Sequence, residues 1–354
     1  MLTVGFVGTG VIAWAHAIGL QAMISAGVVD ARIAVVHDLD GERASGFAAA
    51  NGAVAVASAA EVVERCDAVW VCTPTAAHVA AVQTAVVAGR AVFCEKPLST
   101  DLAGAEALAE TVRAGGVPAQ VGLVLRSTPV FRALRDVVAS GELGPPMTAV
   151  FRDDQYFPVQ GLYGSTWRGD VAVAGGGCLI EHSIHDLDIL RFCLGEVAEL
   201  SARTANFAGY EGVEDLATVS LHFESGASAE LVSVWHDILS RGSTRRVEVF
   251  CRRGTAWLED DHLGPLHVQT ADGVEVRTCR PPDWVESLPI GRDDMGLVVR
   301  MYCEADRAFV DAVAAGRPPD PGLDEAVVAH GLVDAAYRSA AAGGVPVVPG
   351  SAPA

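Results

Sequence analysis

Ala91-Val92-Phe93-Cys94-Glu95-Lys96-Pro97-Leu98 is the first stretch to read for chemistry, because Lys96 is the only lysine in 354 residues and the other basic side chains are arginine. A guanidinium stays charged, whereas a lysine ammonium can shift its pKa and exchange a proton. A chain that writes arginine everywhere else needs an ammonium here, or has kept one surface lysine against a codon bias. The lysine follows an apolar run that reads as a buried parallel strand, so it sits at that strand's carboxyl end, where open α/β sheets bind ligands. A second group follows Gly175-Gly176-Gly177. Residues 178–190 have helical periodicity, with Ile180, Ile184, Leu187 and Leu190 on an apolar side. Glu181, His185 and Asp188 are spaced four and three apart and share one face, so a titrating imidazole lies between two carboxyls. A solvated polar stripe is the plainer reading. His182 and His185 with nearby carboxylates suggest metal ligation, but they are three apart and no ligand-rich segment complements them, so no metal is expected.

These residues need a scaffold. Residues 3–7 read as a strand, followed by Gly8-Thr9-Gly10-Val11-Ile12-Ala13 and a helix over 12–23. This is the dinucleotide fingerprint with alanine in third place: Gly8 permits the turn, Gly10 admits a pyrophosphate at the helix N-terminus, and Ala13 allows close packing. Gly8, Thr9, Gly10, Val11 and Ile12 are therefore candidate cofactor residues. A second strand, 32–37, ends at Asp38, placed to meet ribose hydroxyls unless Asp38 and Asp40 only cap the helix starting near Gly41. Asp38 should repel a 2′-phosphate and Leu39 offers no cation, so NAD is expected over NADP, with Arg43 softening the preference. Helices over 59–65, 77–88 and 102–114 alternate with strands over 68–72, 91–94 and 119–123, which predicts an α/β Rossmann domain with a doubly wound parallel sheet. Thr73, Pro74 and His78 come from one strand-end loop and Glu95, Lys96 and Pro97 from the next. His78 also reads as an ordinary helix N-terminal residue.

Beyond about residue 124 the alternation stops. Period-2 segments at 217–223, 227–235 and 246–250 predict antiparallel strands, hence an α+β second domain over 124–354 after a first over 1–123. Residues 317–321 read as a surface loop before a last helix over 323–341, which could pack back on the first domain, and the tail 349–354 as disordered. The chain is 51% hydrophobic and 19% charged, with no apolar run of membrane-spanning length. Met1 runs almost directly into a strand, leaving no room for a signal peptide, and eight cysteines without a C-x-x-C pair read as reduced thiols of a cytoplasmic protein. A formal charge of −19 excludes a polyanionic partner such as nucleic acid.

Gly8-x-Gly10, Asp38, Thr73-Pro74 with His78, and Glu95-Lys96-Pro97 together resemble the Gfo/Idh/MocA family of glucose-fructose oxidoreductase and inositol dehydrogenase relatives. The likeness extends through Trp167-Arg168, the three glycines with Glu181, His185 and Asp188, Phe309-x-x-Ala312-Val313, and Ala335-Ala336-Tyr337-x-Ser339. It implies a C-terminal domain with a large open, mainly antiparallel sheet that supports a homodimer or homotetramer, and no metal. Hydride transfer between a C–H and nicotinamide needs a proton carrier at the oxygen. His185 is the candidate, Lys96 would stabilise alkoxide charge and relay the proton, and Glu181 would orient the imidazole or bind a hydroxyl. Family members often carry Asp there, so the reach of the longer Glu181 stays open. Arg126, Tyr163, Trp167, His182 and His236 are candidate substrate residues, and Arg168 could touch cofactor. The expected activity is NAD-dependent oxidation or reduction of a sugar, cyclitol or related polyol. The alternatives are transient oxidation ahead of elimination or glycoside cleavage, and a non-catalytic sugar or nucleotide sensor, against which the intact Lys96 and His185 argue.

Overall fold

A computed structural model describes residues 1–350, Asp294 by its backbone only, so most of the tail expected to be disordered lies outside the described residues. In chain order, β1 (Leu2–Val7), α1 (Val11–Ser25), β2 (Ala31–His37), α2 (Gly41–Asn51), β3 (Val54–Ala55), α3 (Ala59–Glu64), β4 (Ala68–Val71), α4 (His78–Val87), β5 (Ala91–Cys94), α5 (Leu102–Gly115) and β6 (Ala119–Val121) come first. Then follow α6 (Pro129–Ser140), β7 (Pro146–Tyr156), α7 (Val171–Ala174), α8 (Ile184–Leu194), β8 (Val197–Ala205), β9 (Leu216–Phe223), β10 (Ser228–His236) and β11 (Thr244–Cys251). β12 (Gly254–Leu258), β13 (Leu266–Thr270), β14 (Gly273–Arg277), α9 (Asp283–Glu286), α10 (Asp294–Ala314) and α11 (Leu323–Ala341) complete the order. Two compact units result: Met1–Val124 with Pro281–Val327, and Leu125–Arg280 with the chain from Val328 onward.

In the first unit all strand pairs are parallel, in the order β3-β2-β1-β4-β5-β6. This is the dinucleotide-binding arrangement, with its switch point between β1 and β4. The central strands are short and apolar because both faces are covered: every residue of Ala68–Val71 and Ala91–Cys94 is buried. Val7, Val69, Val71 and Val92 pack with α3, α4 and α5, whereas Phe6, Trp70 and Phe93 pack with α1 and with Val299, Cys303, Phe309 and Val310 of α10. Helix ends follow local chemistry. Asp40 caps α2 by accepting from the Glu42 and Arg43 amides, and Gly52 ends it at φ +65°.

The second unit holds an eight-stranded sheet, β14-β13-β12-β11-β7-β10-β9-β8, antiparallel except where β10 runs parallel to β7. Alternating burial along β9, β10 and β11 gives it one inward face, and α6 and α8 contribute buried apolar residues such as Phe131, Leu134, Leu187 and Leu190 to the same unit.

Candidate active site

At the switch point Gly8 has φ +88°, and a Cβ there would lie 2.7 Å from the Cys72 carbonyl and the Thr73 nitrogen. Only glycine lets the end of β1 come so close to the end of β4. Gly10 caps α1 without a side chain, and a Cβ on it would meet nothing within 4 Å, so the space before the helix is open. Val11 and Ile12 form its half-buried first turn. Thr9 is buried, and its N–H and hydroxyl both donate to Asp38 Oδ2, at 2.8 and 2.9 Å. Arg43 adds a forked pair, Nη2 to Asp38 Oδ1 at 2.7 Å and Nε to Oδ2 at 3.2 Å. Partial burial pushes the Asp38 carboxyl up, but Arg43 and the amides of Asp40 and Thr9 outweigh it and hold the pKa at about 2. Asp38 is therefore a fixed anion at the end of β2, and the capping of α2 falls to Asp40.

The next two loops are stitched together. His78 is buried, with Nδ1 2.8 Å from the Pro97 carbonyl and Nε2 2.9 Å from the Thr73 carbonyl. This ring joins the loop after β4 to the loop after β5 instead of presenting itself to a ligand. Pro74 is exposed beside it, and the Thr73 hydroxyl is buried with no hydrogen-bond partner among the described residues. Lys96 is half-buried and precedes a cis peptide to Pro97. Glu95, expected to face cofactor, turns into the core: it is 5% exposed, with Oε1 3.1 Å from His16 Nε2. A residue following an all-buried strand on its inward side has its carboxylate driven toward a buried cation rather than toward solvent.

In the second unit the three glycines have separate reasons. Gly175 adopts φ +86°, a Cβ on Gly176 would overlap the Tyr337 hydroxyl, and one on Gly177 would overlap the Glu214 carbonyl. The Glu214 carboxylate accepts from the Gly177 and Leu179 amides at 2.8 and 2.9 Å and from the Tyr337 hydroxyl at 2.9 Å. That clamp starts a π-helical turn, Leu179–Ser183, before α8. The uniform α-helix expected over 178–190 thus opens with a widened turn, a feature common at functional sites. Glu181, His185 and Asp188 are all buried. Glu181 Oε2 accepts from Arg168 Nε at 3.0 Å, and Arg168 stacks over Trp167 at 4.3 Å. Asp188 is gripped by Arg126, Nε at 2.8 Å and Nη2 at 2.5 Å, with Arg126 over the Phe192 ring at 5.2 Å. The two acids that flank His185 in this pattern are thus each engaged by an arginine.

His182 meets residues of the second sheet. Strand register sets Ser233, Asp153 and Arg245 side by side on the inward face, and His182 Nε2 lies 2.9 Å from Asp153 Oδ2. Arg245 sits centrally, Nε donating to Asp186 Oδ1 at 2.7 Å and Nη1 to Asp261 Oδ2 at 3.1 Å, with Nη2 3.1 Å from His182 Nε2. Burial and then the neighbouring Asp153 raise the Asp186 carboxyl to about 7, so it is largely protonated below neutrality. Burial also raises Asp261, but Arg245 and His262 reverse it, leaving that carboxyl well below its ordinary range. A guanidinium thus fills the middle of this acidic group, and among the described residues no His, Cys, Asp and Glu group is arranged to hold a metal. His236 Nε2 is 3.4 Å from Asp154, which also pairs with Arg152 and Arg241. Tyr163 packs against the Tyr156 ring at 5.9 Å. Sequence reading passed over His16, Asp306, Asp153, Asp186, Glu214 and Arg245. Its available signal was a polar residue on the inward phase of an otherwise apolar strand, as at Asp153, Ser233 and Arg245.

Comparison with known proteins matches residues 2–123 to an oxidoreductase family's NAD-binding Rossmann fold and residues 131–257 to a GFO/IDH/MocA C-terminal domain. The chain is 31% identical to the 1,5-anhydro-D-fructose reductase of Ensifer adhaerens over 327 residues, covering 90% of this chain and 91% of that one. It is 29% identical to the inositol 2-dehydrogenase of Rhizobium meliloti over 345 residues, covering 95% and 96%. In fold it follows a levoglucosan dehydrogenase solved with NADH and levoglucosan, at TM-score 0.86 and 21% identity, over 99% of this chain and all of that one. The first unit fits NAD on its own features: the cradle at Gly8 and Gly10, the fixed Asp38 anion and the unpartnered Thr73 hydroxyl all lie at the strand ends where a dinucleotide binds. With both halves matched and a relative above 30% aligned along nine-tenths of its length, the chain belongs to the GFO/IDH/MocA family of NAD-binding oxidoreductases.

Proposed function

We propose that this chain is a dehydrogenase or reductase that exchanges a hydride between NAD and a ring hydroxyl or ketone of a sugar, cyclitol or related polyol. The observation that carries the reading is the near full-length alignment to relatives named for inositol and for anhydrofructose, two different polyhydroxylated rings. NAD, when bound, supplies or accepts the hydride at its nicotinamide. The protein supplies the rest. Gly8, Thr9, Gly10 and the first turn of α1 bind the pyrophosphate, Asp38 the ribose, and the loops at Thr73-Pro74 and Glu95-Lys96-Pro97 the nicotinamide side. Lys96 stabilises charge developing on the substrate oxygen and His185 exchanges its proton. Glu181, held by Arg168, orients neighbouring groups instead of acting as a free base. Because Arg168 and Arg126 are engaged by carboxylates, they contribute to substrate recognition as oriented ion pairs. Tyr163, Trp167 and His236 line that side, and His182 supports it from beneath.

The same reading places the protein in the cytoplasm and makes it a homo-oligomer through the second sheet. On that sheet's outward face Val276, His267, Trp257, Glu248, Val150 and Glu230 are successive cross-strand neighbours, and Val150 and Val276 are 47% and 56% exposed. A steady-state assay tests the function: nicotinamide absorbance is followed with NAD and a panel of inositols, aldoses and anhydro-sugars, and with NADH and the corresponding ketones. Turnover with at least one cyclic polyol is expected. NAD binding without turnover of any of them would favour a sensor and sink the dehydrogenase.

A further inference from the structure

His16 lies on α1, the helix that starts at the nucleotide fingerprint, and is fully buried. Its Nδ1 is 2.7 Å from Asp306 Oδ1 on α10 and its Nε2 is 3.1 Å from Glu95 Oε1. The ring meets Phe93 and Tyr302 edge-on at 4.9 and 4.6 Å. Carboxylate oxygens thus face both ring nitrogens, an arrangement that an imidazolium, with two N–H donors, satisfies on both sides. Burial opposes that charge, but Asp306 and Glu95 prevail and raise the pKa to about 9. Asp306 Oδ1 is itself fixed by the Trp70 indole N–H at 2.9 Å. On the other side Glu95 Oε2 accepts from the Lys96 amide at 3.3 Å. Its carboxylate lies so close to Gly122 that a Cβ there would come within 2.6 Å of Oε1. Glu95 therefore has one place to go, and the residue after it is the single lysine.

We infer that His16 is a positioning residue for Lys96: clamped by Asp306, it holds the Glu95 carboxylate, and Glu95 fixes the Lys96 peptide, tying the lysine's place to the helix that cradles the cofactor. The inference rests on Lys96 acting at the substrate oxygen, but it can be tested apart from that. A buried ion triad that only stabilised the core would leave the Lys96 backbone unmoved when its charge changed. The titratable groups facing the imidazole are Glu95 from the loop after β5 and Asp306 and Tyr302 from α10. The Cys72 and Cys94 thiols near these carboxylates are kept neutral by burial, with pKa values well above their usual range.

With one lysine in the chain, protein labelled with heavy-nitrogen lysine shows one backbone amide resonance, that of Lys96. In the wild type this resonance should stay still through neutral pH and move only as the pH nears about 9, where His16 loses its proton. Asp306→Asn removes one of the two anions, so the same movement should appear at lower pH. His16→Gln should displace the resonance and abolish that step. With a polyol substrate, His16→Gln should also lower kcat by about 10²-fold, the scale of a small misplacement of a reacting group, while the Kd for NAD changes only a few fold. A wild-type resonance with no such step, or a step that Asp306→Asn leaves in place, overturns the inference without any variant having to turn over substrate. A displaced resonance with unchanged kcat would overturn the catalytic reading of Lys96 and leave the clamp standing.

Discussion

Lys96 and His185 differ in what a substitution can take from them. Lys96→Arg keeps the charge, yet for the proposed role at the substrate oxygen the larger planar guanidinium misplaces the reacting atoms and cannot relay a proton. The expected outcome is retained NAD binding with turnover lowered by about 10²-fold or more, measured by single-turnover hydride transfer; near-normal rates would reduce Lys96 to a positioning charge. His185→Asn should lower turnover by about 10² to 10⁴ and flatten the neutral limb of the pH profile. Asp38 and Arg43 make a third case, because Arg43 already sits on the carboxylate proposed to bind the ribose. It is the cation best placed to receive a 2′-phosphate, so Arg43→Ala should weaken NADP by about tenfold or more, the weight of a charge-assisted hydrogen bond, and leave NAD nearly unchanged. Equal losses of both cofactors in a fluorescence titration would contradict this.

At the scale of elements, the helix bearing His185 is held at its start by Glu214 and underneath by the Asp153, Asp186, His182 and Arg245 cluster. Asp186 has a folded pKa of about 7 against an ordinary 3.8. The folded protein then holds a proton that the unfolded chain has released, so this group's contribution to stability falls as pH rises from about 4 to about 7. Asp186→Asn should therefore gain thermal stability relative to wild type at pH 8 but not at pH 4, read as the difference in Tm. Asp261→Asn should instead lower Tm at pH 4 and pH 8 alike. Its carboxyl is ionised throughout, and removing it leaves the Arg245 guanidinium short of a partner, at a cost of about 3–5 kcal/mol. A parallel response of the two variants to pH would show that the cluster does not share charge in this way.

For the whole molecule, the proposed homo-oligomer uses the outward face of the second sheet, and that assignment can be tested. Val150 lies in the middle strand of that face, between Glu230 and Glu248 in register, where a third acid would bring like charges directly opposite one another. Val150→Glu should shift the protein toward monomers in light scattering while leaving the Rossmann unit's NAD affinity intact. An unchanged assembly would move the interface elsewhere.

How much was legible follows from how far apart the cooperating residues are in the chain. The parallel sheet, the fingerprint glycines, Asp38 and the Glu181, His185 and Asp188 spacing are local patterns, each set by period, turn geometry or capping within a few residues, and so they could be read directly. The final helix, Leu323–Ala341, appears at the boundaries expected for it. The partners of those residues are not local. Glu95 was expected at the cofactor, but a buried imidazolium on α1 and the absence of a Cβ at Gly122 turn it inward, and Asp306 lies 290 residues from His16. His182 is a substrate candidate by sequence, and only the register of β7, β10 and β11 reveals Asp153 and Arg245 beside it. Sequence period determines which face a side chain takes; only the tertiary arrangement decides which charge waits there, and in a buried setting that charge decides what the residue does.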